Sequence, residues 1–335
     1  MTDATQTVSV AGSAQRDLLA ATRGRWWEPV MWLAFFAAPL LLPQYAAIAS
    51  EIAIVGLFAV SLDLVLGYAG IVSLGHAAYF GLGVYSAGLF AKHVMPDPLV
   101  GLIFAIVVSA AVGVVGSLTI QRGTDLTRLM VTLGVALILM ELGNKLDWLT
   151  GGADGLQGVV MGPLLGRFEF DLAGQVGAFY SIAALLVFFL LARRLVHSPF
   201  GATLMAIRDN PLRAMSIGIP VRAKLSAVYI VAAGMAGASG ALLAQTQGFA
   251  SLDVFELHRS ADVMLMLVIG GTGWLWGGVF GAIVFKVMYD ILSSITPQYW
   301  TFWLGLFLVV LVQVGRDRLL RPWTWFARRQ KGGAR

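Results

Sequence analysis

Long charge-free stretches alternate with short charged ones along this chain. Residues 225–252 hold 28 positions without a charge. Further uncharged runs cover residues 29–50, 64–91, 98–121, 172–192, 263–285 and 291–315. A helix needs about 20 apolar residues to cross a hydrocarbon core. Barrel strands would instead show as alternating segments of roughly 10 residues. The pattern predicts an all-α, polytopic membrane protein with about 8–10 transmembrane or re-entrant helices. Helices are expected over residues 27–42, 48–66, 71–91, 99–120, 176–192, 225–244 and 299–314, with a short one over 129–142.

The stretch 261–292 is long enough for one helix, but charge argues for two. Cytoplasmic segments collect Lys and Arg. Arg16, Arg23 and Arg25 place the N-terminal tail inside, and the last 20 residues carry seven Lys/Arg against one acid. The loop 143–174 sets Asp147, Asp154, Glu169 and Asp171 against Lys145 and Arg167, as expected outside. With both ends inside, 261–292 must break. Gly270-Gly-Thr-Gly-Trp-Leu-Trp-Gly-Gly278 supplies the break, because glycine weakens helices. The expectation is a segment at 261–269, a turn, and a helix at 279–292. Irregular backbone at membrane depth must be buried in protein or line a wet cavity. The domain reading is therefore a tail at 1–26, a transmembrane domain at 27–316, and a basic tail at 317–335.

Composition agrees: 58% of residues are hydrophobic and 12% charged, where soluble domains carry about 25% charged. Mean hydropathy is +0.81. The lack of Cys excludes disulfides and thiolate metal sites. The net charge of +5 reads as topology and contact with membrane lipid, not nucleic-acid binding. The polar N-terminus has no signal-peptide core. The 39 glycines include small-residue pairs four apart, such as Gly237 with Ala241 and Gly277 with Gly281, which allow close helix approach in lipid.

One cytoplasmic loop, 194–224, stands out. Residues 193–224 carry six Lys/Arg around Arg208-Asp-Asn-Pro-Leu-Arg213 and contain no enzyme motif. Ser198-Pro199 can start a short helix and Asn210-Pro211 can end it. Arg208, Asp209 and Arg213 would then face a partner groove, with Met205 or Leu204 inserted there. The alternative is a basic loop that merely follows the positive-inside tendency. No Gly-x-x-x-x-Gly-Lys-Ser/Thr phosphate loop occurs, so the chain carries no nucleotide-binding signature of that type.

Ionisable groups inside a membrane are costly and mark candidate functional positions. Asp63 and Glu141 are the main ones, either on a transport path or hydrogen-bonded near helix ends. His76 is read as a neutral imidazole packed by Ser73 and Tyr79, ahead of a solute contact. Lys286 and Asp290 can pair along one helix. Trp148, Trp274, Trp276, Trp300 and Trp303 suit interfacial anchoring.

Gly67-Tyr-Ala-Gly-Ile-Val-Ser-Leu-Gly-His-Ala-Ala-Tyr-Phe-Gly-Leu-Gly83, a segment that can be unwound at its start, resembles the glycine-rich signature of branched-chain amino acid ABC importer permeases of LivM type. Three further motifs follow in that family's order. They are Trp148-Leu-Thr-Gly-Gly-Ala-Asp-Gly155, Ser198-Pro-Phe-Gly-Ala-Thr-Leu-Met-Ala-Ile-Arg-Asp-Asn-Pro211, and the glycine turn within 267–281. The resemblance covers about residues 45–318. It departs from the family at Ser251-Leu-Asp-Val-Phe255, which lacks the usual proline, and at residues 122–128.

The resemblance implies a non-catalytic permease subunit in a bacterial inner membrane, with both termini cytoplasmic. A second, LivH-like permease would complete the pathway. Two LivG/LivF-like ATPases would bind ATP and Mg, leaving no cofactor in this chain. A periplasmic solute-binding protein would deliver the solute. Met205, Arg208, Asp209, Asn210, Pro211 and Arg213 would couple to the ATPases. Ser73, Gly75, His76, Asp63, Glu141, Gly270, Gly271 and Gly273 are the pathway candidates. The solute would be a branched-chain amino acid or a related small polar molecule, with urea, amides and aromatic acids open within the family. A stand-alone ion-coupled transporter, using Asp63 and Glu141, is the alternative. An integral-membrane enzyme lacks a catalytic cluster, its other histidines being the scattered His93, His197 and His258.

Overall fold

The computed structural model describes residues 27–120, 125–171 and 174–314. The expected tails 1–26 and 317–335, and Arg122, lie outside these residues. Ten helices form the membrane body: α1 (Trp27–Leu41), α2 (Ala46–Asp63), α3 (His76–His93), α4 (Pro98–Ile120), α5 (Asp125–Lys145), α6 (Gln175–Val196), α9 (Val221–Gln247), α10 (Leu257–Gly270), α11 (Leu275–Ile295) and α12 (Trp300–Val314). Two short helices, α7 (Pro199–Asp209) and α8 (Pro211–Ser216), cross one end. Among the described residues six helices are long and apolar enough to span a bilayer. The chain is a multi-pass, all-α membrane protein.

The core is built around α9, which packs on α2, α3 and α4. Where α3 crosses α9, a Cβ on Gly83 would overlap the Gly237 carbonyl, and one on Gly240 would overlap the Phe80 carbonyl. The main chains therefore touch, as small residues permit in lipid. Serines reinforce the crossings. Ser239 Oγ donates to Ile54 O at 2.6 Å, Ser109 Oγ to Tyr79 O at 3.1 Å, and Ser50 and Ser181 meet at 3.0 Å. The helix α3 carries His, Tyr, Ser and Gly because protein, not lipid, surrounds it. By contrast α5 is largely exposed.

Several boundaries differ from expectation. The expected short helix at 129–142 is α5, 21 residues long. Its first turn is polar, and a Glu141–Lys145 pair spans its last turn. Helix α3 starts at His76, not at 71. Residues 69–75 are unwound after a π-helical turn at Leu64–Tyr68 that extends α2, so the segment is unwound at its start as the glycines suggested. The break between α10 and α11 is real, but α11 resumes at Leu275, four residues earlier than expected. Gly271 and Gly273 take φ of +97° and +74°, where a side chain is strained. Helix α10 has 14 residues, about 21 Å at 1.5 Å per residue.

Trp276 does not anchor an interface. It is buried in an aromatic cluster with Trp27, Trp32 and Phe189, at centroid distances of 5.1, 5.3 and 4.8 Å. Trp148 is exposed.

Candidate functional site

Distant parts of the chain converge at the end of α2. Asp63 is fully buried, and its Oδ1 accepts the Gly273 N–H at 2.8 Å. Gly273 lies in the α10–α11 turn. Arg208, from α7, donates through Nη1 to the Gly67 carbonyl, and its charge acts on Asp63. A Cβ on Gly67 would strike the Asp63 carboxylate and the Gly273 nitrogen, and one on Gly70 would strike the Arg208 stem. The surface helix, the π-helical turn and the helix break are thus tied at one point. A rigid displacement of α7 would be felt by the break directly.

The loop itself is a pair of helices with a stiff joint. Ser198 takes the N-cap position of α7, but its Oγ donates back to Leu195 O at 2.6 Å instead of capping. Pro199 starts the helix. Asn210 ends it and caps α8, accepting the Arg213 N–H at 2.9 Å, and Pro211 opens α8. Leu204 and Ile207 are buried against the membrane body. Leu204 is therefore unavailable to a partner, while Met205 of the same helix is exposed, as are Leu212, Met215 and Ile217 beyond it. Arg208 differs from expectation too: its tip points to its own chain, with Nε 3.6 Å from Asp209. Asp209 and Arg213 face outward.

The other pathway candidates separate into two places. At the first turn of α3, His76 Nε2 meets Ser61 Oγ at 2.9 Å, not Ser73, and the ring stacks on Phe58 at 5.5 Å. Ser73 is buried nearby in the unwound segment. The Leu74 N–H reaches Thr132 Oγ1 at 3.3 Å, and a Cβ on Gly75 would overlap the Thr132 carbonyl. Ser260 of α10 accepts the Ala77 N–H at 2.9 Å, which satisfies one of the orphan donors of a helix start. Gly270 packs on Gly277, and Gly271 closes α10 by bonding Leu267 O at 2.7 Å. Glu141 stands apart from all of these. It is exposed on α5 and pairs with Lys145 at 3.8 Å. Ser61→Ala would leave the buried imidazole unpaired. The expected loss is about 1–3 kcal/mol, read as a lower thermal midpoint of the purified chain.

Sequence reasoning missed a second feature. A cavity of about 350 Å³ lies between α2, α3, α9, α10 and α11. Glu51 lines it, about 18 Å along α2 from Asp63, so it sits in the other half of the molecule. Lys286 pairs across the helices with Glu51 instead of along α11 with Asp290, and lies over the Tyr289 ring at 4.9 Å. Glu51 falls inside a predicted helix and carried the same intramembrane-charge signal as Asp63. His258, Arg259 and Asp262 sit where no predicted helix began or at the start of one.

A family model described as "Branched-chain amino acid transport system / permease component" matches residues 44–313. The high-affinity branched-chain amino acid transport system permease protein LivM of Salmonella typhimurium is 28% identical over 285 residues, covering 78% of this chain and 66% of that protein. The protein of the same description from Escherichia coli K12 is 28% identical over 295 residues, 82% of this chain and 69% of its own. The fructose import permease protein FruG of Bifidobacterium longum is 26% identical over 157 residues, 45% of each chain. The chain spans about two thirds of the length of the LivM relatives. No solved structure matches significantly.

Proposed function

Because the chain belongs to the family of branched-chain amino acid transport system permease components, we propose that it is the membrane subunit of an ATP-driven importer for branched-chain amino acids or a chemically close small solute. The observation that carries this reading is the tether from α7 to the helix break through Arg208 and Gly67. A pump powered from outside its own chain needs a surface element rigidly joined to its membrane interior. The pair α7–α8 supplies one.

In this reading α7 and α8 face the cytoplasm of a bacterial cell, as do both termini. The unit 27–316 is the permease domain, with 194–224 as its coupling loop, an N-terminal tail at 1–26 and a basic tail at 317–335. Met205, Asp209, Asn210, Pro211 and Arg213 form the contact surface for LivG/LivF-like ATPases, which bind ATP and Mg. Arg208 carries their movement inward. The exposed, apolar α5 suits a LivH-like second permease, and a periplasmic binding protein delivers the solute on the far side. Asp63, Ser73, Gly75, His76, Gly270, Gly271 and Gly273 form the mobile inner part. The kinship with a protein named for fructose import leaves solute choice to be argued from the site. The chain performs no chemistry of its own.

The ion-coupled alternative is less well supported. Its two carboxylates lie apart, Asp63 buried at one end of α2 and Glu141 exposed and paired. Midplane ion sites need converging ligands. Proteoliposomes test the choice. Uptake of tritiated L-leucine is expected only when ATPases, second permease, binding protein and ATP are all present. Uptake by this chain alone under a proton or sodium gradient would refute the importer reading.

A further inference from the structure

We propose that Glu51 and Lys286 form a releasable latch across the cavity between α2, α3, α9, α10 and α11, and that the α10–α11 hairpin swings on α2 about Gly278 when the latch opens. Only the driving force rests on the importer reading. Helices α2 and α11 run antiparallel, and their contacts form a ladder. Asp63 holds the Gly273 N–H just before α11 begins. Next along, a Cβ on Gly278 would lie 3.0 Å from Val60 N and 3.1 Å from Ala59 C, so the main chains touch. About one turn further, a Cβ on Gly56 would stand 3.8 Å from Ala282 Cβ, an ordinary contact. At the last rung two long side chains meet, Glu51 and Lys286. The spacing thus widens away from Gly278. The cavity of about 350 Å³ occupies the open end, with Glu51 and Lys286 in its wall.

Two features make the wide end movable. The hairpin is stiff. A Cβ on Gly270 would overlap the Gly277 carbonyl and one on Gly281 the Met266 carbonyl, so α10 and α11 move as one body. The pair at the far end is wet. The Lys286 and Glu51 side chains keep 23% and 35% of their surface exposed, and ion pairs open to water hold weakly. Such a pair sets the angle between the helices yet lets go readily, whereas breaking a sealed pair would strand a buried charge. Lys286 also has a second resting place on its own helix, over the Tyr289 ring at 4.9 Å, where a ring face attracts the ammonium once Glu51 is gone. Lys286 lies eight residues beyond Gly278, a lever arm of about 12 Å. On the other side of Gly278 stand Gly273 and, through Asp63 and Gly67, the Arg208 tether. A push on α7 therefore reaches the cavity as a rotation about the glycine contact. Glu51 and Lys286 are positioning residues here, and neither is assigned a solute contact.

The chain has no cysteine, so spin labels attach only where cysteines are introduced. Ala47→Cys with Ser294→Cys reports α2 against α11 at the open end. Leu257→Cys with Ser294→Cys reports the hairpin itself. All three positions are exposed. Distances are read by electron paramagnetic resonance in nanodiscs, on the full chain alone and on its complex with the second permease and the ATPases. In the chain alone, Lys286→Met is expected to raise the population with the longer Ala47–Ser294 distance about fivefold and to leave the Leu257–Ser294 distance unchanged. Exchanging the charges, Glu51→Lys with Lys286→Glu, should restore the parent distribution. In the complex, a non-hydrolysable ATP analogue should shift the Ala47–Ser294 distance of the parent. An outer distance that Lys286→Met leaves as it is would overturn the latch. So would a change in both distances, which marks a loosened fold, and so would an outer distance that stays fixed with the analogue in a complex that imports leucine. A complex that imports no amino acid with ATP would instead remove the importer reading, and the latch would stand or fall by the distances in the chain alone.

Discussion

Arg208→Glu is expected, if the chain works as the proposed importer subunit, to reduce ATP-driven uptake at least tenfold while it still inserts and still holds its partner ATPases. Arg208 of α7 reaches the π-helical turn with a hydrogen bond to the Gly67 carbonyl. A glutamate there meets that carbonyl with no hydrogen to donate. It also brings a second negative charge toward Asp63, which is buried and has one oxygen without a partner. Lost charged hydrogen bonds are worth about 1.5–3 kcal/mol, or roughly ten- to hundredfold in the equilibrium that joins α7 to the break. Arg208 is half-exposed, so water softens the penalty and the fold survives. Arg213→Glu provides the contrast. Its side chain lies outward, and its backbone N–H, not its guanidinium, holds Asn210. It should lose ATPase association and uptake together. Co-purification measured beside transport separates the two. Normal uptake by Arg208→Glu would show that the tether does not transmit force.

Gly240→Val is expected to damage folding severely. The new Cβ falls on the Phe80 carbonyl at the α3–α9 crossing. Overpacking costs typically 1–3 kcal/mol and occasionally more. Here the atoms struck are main chain and cannot rotate aside, so about 3 kcal/mol or more is expected. Displacing α3 would also shift Phe80, which stacks on Phe58 at 4.6 Å, and so disturb the cavity wall. Gly134→Ala is the control, since nothing lies within 4 Å of its added carbon. The thermal midpoint should fall sharply for the first variant and hold for the second. A Gly240→Val chain as stable as the parent would refute the helix crossing.

The membrane helices were legible because bilayer thickness fixes the length of an apolar run. The break near Gly270 was legible from charge parity plus glycine, two independent constraints on one short stretch. Its exact register was not. Trp274-Leu-Trp276 reads as a turn or a helix start equally well, and tertiary packing of Trp276 on Trp32 and Phe189 decided for the helix. The small residues announced close approach but not which helices would meet. Arg208 was legible as important and not as inward-facing, since a basic residue on a surface loop gives no sign of a carbonyl waiting beneath it. The cavity was invisible for a similar reason. Its charges come from α2, α10 and α11, and nothing in their spacing along the chain joins Glu51 to Lys286 or sets both opposite Asp262.

The shortness of α10 has an energetic corollary. At about 21 Å it falls short of a hydrocarbon slab of about 30 Å, so the backbone that continues it at membrane depth needs water or protein around it. A polar molecule descending along that face would shed its hydration over a correspondingly thinner oily layer.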